Sequence, residues 1–146
     1  MIRRGTPDDV REIVAILIRA FRHAYADILD PQFLAELDAD ELAAEWREAF
    51  ERGDRTVFVA EAEGRVAGYA SIRDDGDLRT LYVDPAAQGA GVGDHLLAEA
   101  ERAGARTLEV FEANGHARGF YEARGWRDDG PGEDTLDRPT RRYVKT

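Results

Sequence analysis

Three glycines fall within five positions, 89 to 93, in the run Q-G-A-G-V-G-D. Glycine accepts positive φ and lets the backbone approach a ligand closely. The apolar spacing that follows predicts a helix, whose first amides have no intrahelical partner and favour an anion. The residue types therefore predict a phosphate cradle built from backbone amides, in the stretch Gln88, Gly89, Ala90, Gly91, Val92, Gly93 and Asp94.

Two common nucleotide motifs do not fit this turn. A P-loop requires lysine and Ser/Thr directly after its last glycine, and neither follows here. The dinucleotide motif G-x-G-x-x-G, read from Gly89, requires a third glycine at position 94, which is Asp94. What remains is Q-x-x-G-x-G directly after a predicted strand, Leu81, Tyr82 and Val83, which Asp84-Pro85 ends.

A second segment, N-G-H-A-R-G-F-Y-E-A-R-G-W from Asn114 to Trp126, follows in the chain. Together the two segments resemble the GCN5-related N-acetyltransferase (GNAT) superfamily, with its acetyl-CoA loop Q-x-x-G-x-G and its segment N-x-x-A-x-x-F-Y-x-x-x-G-[FW]. The close match covers roughly residues 56 to 126, and the rest matches only in element order.

The resemblance implies an N-acetyltransferase that uses acetyl-CoA (coenzyme A) as its cofactor. Its acceptor would be a primary amine of a small molecule or peptide, attacking directly in a ternary complex. Two alternatives remain open: a GNAT-fold module that binds acyl-CoA without efficient catalysis, and an acyltransferase that uses a longer acyl-CoA.

The resemblance also implies roles for single residues. Leu81, Tyr82 and Val83 would contact the pantetheine arm through their main chains, like an added strand. Asn114 would contact the same arm through its side-chain amide, although asparagine is also a favoured helix N-cap. Tyr121 would protonate the leaving thiolate, although a packed aromatic residue is the simpler interpretation.

The general base is less well defined by the residues. The family often places a carboxylate near the start of the strand before the glycine turn, and Asp77 holds that position. Aspartate is short, so a water would relay the proton. Glu61 and Glu109 are alternatives, Glu112 is a weaker one, and each is more commonly a solvated charge. Either Arg118 or Arg124 could reach the extra phosphate of the nucleotide, but each is more simply a surface arginine.

Composition excludes several classes of protein. The chain has 146 residues, which fits a single domain over 1–146, and its net charge is −10 from 20 basic and 30 acidic residues. That charge argues against nucleic acid as a partner and is compatible with a cationic acceptor or with solubility alone. No cysteine, export signal, membrane-length apolar run or histidine ligand spacing is present. We therefore predict a cytoplasmic protein with no metal and no membrane partner; a homodimer is left open.

The remaining patterns place these motifs on secondary structure. The apolar spacing predicts helices from about Thr6 to Tyr25 and from Asp30 to Gly53. Within the second range a new helix is predicted to begin at Asp40, and Phe33 is predicted to face inward. Strands follow at 56–62, 65–73, 77–83, 107–111, 126–128 and 141–145, with a short first strand in residues 1–5. The order predicts a mixed α/β fold with a mostly antiparallel central sheet, helices on both faces, and strands splayed at the cofactor site.

Overall fold

The computed structural model describes residues 1–145, and all seven strands lie in one sheet with the order β1-β2-β3-β4-β5-β7-β6. The strands are β1 (Ile2–Arg4), β2 (Arg55–Ala62), β3 (Arg65–Arg73), β4 (Asp77–Val83), β5 (Thr107–Phe111), β6 (Trp126–Pro131) and β7 (Thr140–Lys145). The helices are α1 (Val10–Ala24), α2 (Pro31–Ala35), α3 (Ala39–Arg52), α4 (Val92–Arg102) and α5 (Gly115–Glu122).

The pairing between β4 and β5 is parallel and very short. Only Asp77 with Thr107 and Leu78 with Leu108 are paired, whereas every other neighbouring pair in the sheet is antiparallel. Beyond those two pairs the strands separate, and their backbone groups have no ladder partner across the gap. The predicted sheet type is confirmed, and it is splayed at the end of β4 that leads into the glycine turn.

Helices cover both faces of the sheet. Successive residues of a strand point to opposite faces, and on β2 the core divides in this way. Phe58 packs with Leu96 and Leu97 of α4, whereas Val59 packs with Ile13 of α1 and its neighbour α3. The α4 side and the α1/α3 side therefore form two separate cores, and the sheet between them is reached by solvent where β4 and β5 diverge.

Two details differ from the sequence predictions. Helix α3 is capped by Asp38, whose carboxylate accepts the amides of Asp40 and Glu41 at 2.8 and 3.1 Å, so the predicted restart at Asp40 lies two residues too late. Phe33 is 38% exposed and does not face inward, because α2 has only five residues and turns Leu34 into the core instead. Within residues 1–145, no helix has both the length and the apolarity to cross a lipid bilayer.

Candidate active site

A cleft of about 860 Å³ opens where β4 and β5 separate. It is lined by most of the residues that the sequence singled out, namely Asp77, Leu81, Tyr82, Val83, Gln88, Gly89, Gly91, Val92, Gly93, Asp94 and Tyr121. Ala90 and Asn114 are not among its lining residues. The strand, the glycine turn and α5 are thus brought to one place, at the carboxyl ends of a parallel strand pair, where open sheets commonly bind ligands.

The glycine turn presents free backbone donors. Gly89 and Gly91 have φ of 89° and 81°, conformations that side chains rarely adopt. Within residues 1–145, no amide from Gln88 to Asp94 donates a hydrogen bond, and the first that does is His95, which donates to the Gly91 carbonyl at 3.1 Å. The turn and the positive end of α4 therefore form a candidate anion site, because free amides at a helix N-terminus are the donors that a phosphate group favours.

The start of the turn is held by a separate contact. The carboxylate of Asp84 accepts the amide of Ala86 at 3.1 Å and the guanidinium of Arg19, from α1, at 2.7 Å. The hydrogen bond from Arg19 lowers the pKa of Asp84. A capped 3₁₀ turn tied to α1 leads the chain out of β4 and into the glycine segment.

One acidic side chain lies beside this anion site and is neutralised. The carboxylate of Asp94, in the first turn of α4, pairs with the guanidinium of Arg124, which lowers the pKa of Asp94. Arg124 in turn lies 3.8 Å from the ring centroid of Phe120 and donates to the Phe120 carbonyl at 2.8 Å. The same ring packs against Gly93. Arg124 therefore stands at the rim of the cradle with a fixed position.

Tyr121 lies on the inner wall of the cleft. It is 7% exposed and packs edge-on against Phe120 and Trp126, with interplanar angles of 84° and 64°. Burial, and to a smaller extent the nearby Tyr25, raises the pKa of the Tyr121 phenol well above its usual value. The phenol stays protonated across the physiological range and can serve as a proton donor, while its ring also belongs to the core on the α4 side.

The two other polar residues of the second segment have structural partners. Asn114 is the N-cap of α5, since its side-chain oxygen accepts the amide of Ala117 at 3.1 Å. Arg118 faces β6 and β7, where it donates to the Tyr143 hydroxyl at 3.1 Å and pairs with Asp128 at 3.3 Å. Of the two arginines in this segment, Arg124 therefore reaches the cleft and Arg118 does not.

The four candidate carboxylates separate clearly in space. Asp77 and Glu109 line the cleft, whereas Glu61 and Glu112 do not. Glu61 pairs with Arg3 on the opposite edge of the sheet, and Glu112 lies 3.7 Å from Arg141. Asp77 accepts a hydrogen bond from the Thr107 hydroxyl at 2.9 Å, at the closed end of the gap between the strands.

Glu109 follows Leu108, the last residue of β5 that pairs with β4, and its exposed side chain lies in a niche beside the loop after β6. Its carboxylate accepts the amide of Glu133 at 2.9 Å. A Cβ added at Gly132 would collide with that carboxylate and would lie 2.6 Å from the Thr140 hydroxyl. A larger residue at position 132 would have to displace the Glu109 carboxylate, so the loop after β6 packs closely against that side chain. No local pattern in the sequence connects residues 109 and 132.

An aromatic wall completes the cleft on the α1 side. Tyr25 packs edge-on against Phe21 at 4.5 Å and against Phe111 at 5.0 Å between ring centroids. Its hydroxyl lies 3.3 Å from that of Tyr82. Burial raises the pKa of Tyr25, while hydrogen bonds to Tyr82 and Asn114 oppose that rise. These aromatic residues come from three distant parts of the chain, so no local pattern in the sequence connects them.

Comparison with solved structures first establishes the class of fold. The chain superposes on apo YjaB of Escherichia coli with a TM-score of 0.80 and 28% identity, covering 100% of this chain and 97% of that one. It superposes on YncA of Salmonella typhimurium, solved with its cofactor acetyl-CoA, with a TM-score of 0.70 and 25% identity, covering 98% and 91% of the two chains. The chain thus shares its overall fold with a protein that was solved with acetyl-CoA as its cofactor.

Sequence comparison then identifies the family. Residues 26–135 match the family model described as the acetyltransferase (GNAT) domain. An N-acetyltransferase of Mycobacterium tuberculosis, so far uncharacterised, is 32% identical over 133 residues, which cover 84% of this chain and 85% of that protein. The chain therefore belongs to the GNAT acetyltransferase family, and the resemblance read from its two motifs is confirmed.

Proposed function

We propose that this protein transfers an acetyl group from acetyl-CoA to a primary amine of a small molecule or peptide, by direct attack within a ternary complex. The observation that carries the proposal is the free-amide cradle of residues 88–94, which opens into the same cleft as Tyr121 and the unpaired edge of β4. Acetyl-CoA is the cofactor, and its thioester supplies the activated acetyl group.

Binding of the donor falls to backbone groups and to one rim arginine. The amides of residues 88–94 would hold the diphosphate, and Arg124 would offset the negative charge of Asp94 beside it. The main chain of Leu81, Tyr82 and Val83 would pair with the pantetheine amides, because those groups have no partner on β5. Asn114 would reach that arm from the start of α5, where its carboxamide also caps the helix.

The chemistry needs a proton donor and a proton acceptor on either side of the reacting carbonyl. As the new C–N bond forms and the C–S bond breaks, Tyr121 would donate its phenolic proton to the departing thiolate. Asp77 lies at the closed end of the gap, several residues away from the open end of β4. It would therefore take the amine proton through a water and not by direct contact. No residue needs to become covalently modified in this scheme.

Replacing Tyr121 by phenylalanine tests the scheme. We expect Tyr121→Phe to lower kcat by roughly 100-fold, the usual contribution of a positioned general acid, while the Kd for acetyl-CoA in calorimetry stays unchanged. The matched control is Tyr69→Phe, which removes a buried hydroxyl that has no hydrogen-bond partner within residues 1–145 and leaves the cleft lining intact. That control should keep full turnover and equal or higher stability.

Two outcomes would contradict the proposal. Equal losses of kcat and donor affinity in Tyr121→Phe would assign Tyr121 a packing role. Tight binding of acetyl-CoA without turnover of any amine in a broad panel would favour the alternative in which the fold only holds an acyl-CoA. A preference for longer acyl-CoA donors in the same assay would keep the enzyme but change its donor.

A further inference from the structure

The loop between β6 and β7 contributes a wall to the cleft that acetyl transfer alone does not require. Thr135 and Leu136 from this loop line the cleft. The loop is tied across to the connection between α1 and α2, because the guanidinium of Arg138 donates to the Ile28 carbonyl at 3.0 Å. The loop is therefore anchored to the segment that follows α1, three residues from Tyr25.

The tip of this loop adopts an unfavourable turn. The backbone groups of Thr135 and Arg138 exchange two hydrogen bonds of 2.9 Å, and the two residues between them, Leu136 and Asp137, have φ of 50° and 59°. Two-residue turns of this kind strongly prefer Asn-Gly, because both positions are left-handed. A leucine in that conformation is strained, and such strain is concentrated at ligand sites.

The strained turn holds an apolar side chain in solvent. Leu136 is 47% exposed, although it belongs to the cleft lining. The other large apolar side chains that are exposed within residues 1–145 are Met1 and Phe33, and neither lines the cleft. Leu136 thus shares the lining of one cleft with the aromatic residues Phe21 and Tyr25.

The niche around Glu109 adds a charge to the same space. Within residues 1–145 the Glu109 carboxylate makes no ion pair, although Arg142 is its neighbour on β7. It accepts a hydrogen bond from the Glu133 amide. Leu78 and Leu108 are the last paired residues, so Glu109 lies two positions nearer the open end of the gap than the level of Asp77. The exposed Glu109 carboxylate thus adds a negative charge to a cleft whose lining also includes Leu136, Phe21 and Tyr25.

We propose that the acceptor is a primary amine carried on an apolar body, with its ammonium group on Glu109 and its body between Leu136 and the Phe21/Tyr25 wall. Leu136 is the residue that selects it. The inference rests on the proposed acetyltransferase function and adds the chemical class of the acceptor. The apolar body loses its hydration against these side chains, whereas a polar body would leave its hydroxyl or ether groups without partners.

Two amines of equal size test this class. Hexylamine and 2-(2-aminoethoxy)ethanol have the same number of heavy atoms, and only the second carries polar groups along its chain. With acetyl-CoA saturating, kcat/KM should favour hexylamine by roughly tenfold or more. Calorimetry with the protein saturated with coenzyme A should show the same preference in Kd, so the result does not depend on turnover alone.

Variants then assign the preference to residues. Leu136→Asn places a residue that tolerates the left-handed turn, so it should hold or raise Tm while the preference for hexylamine falls to about twofold or less. Glu109→Gln should raise the KM for hexylamine roughly tenfold and leave the Kd for acetyl-CoA unchanged.

One variant serves as the control for both. Glu63 has φ of 54° in the turn between β2 and β3 and does not line the cleft. Glu63→Asn relieves the same backbone conformation as Leu136→Asn and removes one negative charge, as Glu109→Gln does. It should raise stability and leave both the amine preference and the KM unchanged.

Each outcome decides the inference. A preference that survives in Leu136→Asn, or equal use of both amines by the natural protein, would overturn it while leaving the acetyltransferase function intact. Binding of acetyl-CoA with turnover of neither amine nor any other would overturn the proposed function and the acceptor class together.

Discussion

Replacing Gly91 by alanine tests whether the backbone conformation of the glycine turn serves acetyl-CoA binding or only the stability of the fold. Gly91 has φ of 81°, and an added Cβ would meet nothing closer than the His95 ring at 3.9 Å, so the cost is conformational and not steric. A left-handed alanine costs about 1–2 kcal/mol. In a domain of this size that lowers Tm by about 2–8 °C.

The loss of affinity should be larger than this cost suggests. The variant relieves its strain by moving φ out of the left-handed region, and the amides around Gly91 then turn away from the anion site. Each hydrogen bond to a charged group is worth about 1.5–3 kcal/mol. Losing one therefore weakens acetyl-CoA binding by roughly 10- to 150-fold, measured as Kd by calorimetry.

Gly53 provides the matched control. It ends α3 with φ of 66°, an added Cβ there would meet nothing within 4 Å, and the residue does not line the cleft. Gly53→Ala should lose about the same stability as Gly91→Ala and bind acetyl-CoA normally. If Gly91→Ala loses stability but keeps its affinity, the amides of the turn do not bind the diphosphate, and the reasoning about the cradle is wrong.

Two further predictions concern charged side chains. Arg3 donates to both carboxylate oxygens of buried Asp9 at 2.8 and 2.9 Å and lowers the pKa of Asp9. This contribution to stability is therefore present well above the ordinary pKa of 3.8 and is lost as pH falls through the lower folded value. Asp9→Asn should lower the free energy of unfolding by about 1–3 kcal/mol at pH 7. The decrease of Tm at acidic pH should also be smaller in this variant than in the natural protein, and an unchanged decrease would contradict the reasoning. Arg124→Gln should weaken acetyl-CoA binding, because it leaves the negative charge of Asp94 unpaired beside the diphosphate. Adding Asp94→Asn to this variant should restore part of the affinity. If the double variant binds acetyl-CoA no more tightly than Arg124→Gln alone, Arg124 does not act by neutralising Asp94.

The local signals in this sequence were strong where a single segment makes the structure. The strand at Leu81, the glycine turn and α4 were predicted because strand residues, a proline stop, positive-φ glycines and helical spacing all act within about 20 neighbouring residues. The same holds for Asn114, whose cap on α5 depends on a backbone amide three residues away. These elements could be located, and the family resemblance recognised, from the chain alone.

Side-chain roles were decided by contacts between distant segments. Glu61, Glu109 and Glu112 look alike as strand-associated acids, and only the sheet order places one of them in the cleft. Arg118 and Arg124 are six residues apart, yet one faces β7 and the other the anion site. Phe33 was wrongly placed inside because helical spacing does not tell how short a helix is.

The sequence by itself therefore determined the glycine turn before α4 and the family, because both depend on the order of neighbouring residues. The tertiary structure alone decided which of the candidate carboxylates line the cleft, that Gly132 packs against Glu109, and that Leu136 lines the same cleft as the aromatic wall. The physical reason is that burial and pairing are properties of groups brought together from opposite ends of the chain. Helical and strand periods give the face of each residue but not the neighbour that the face meets.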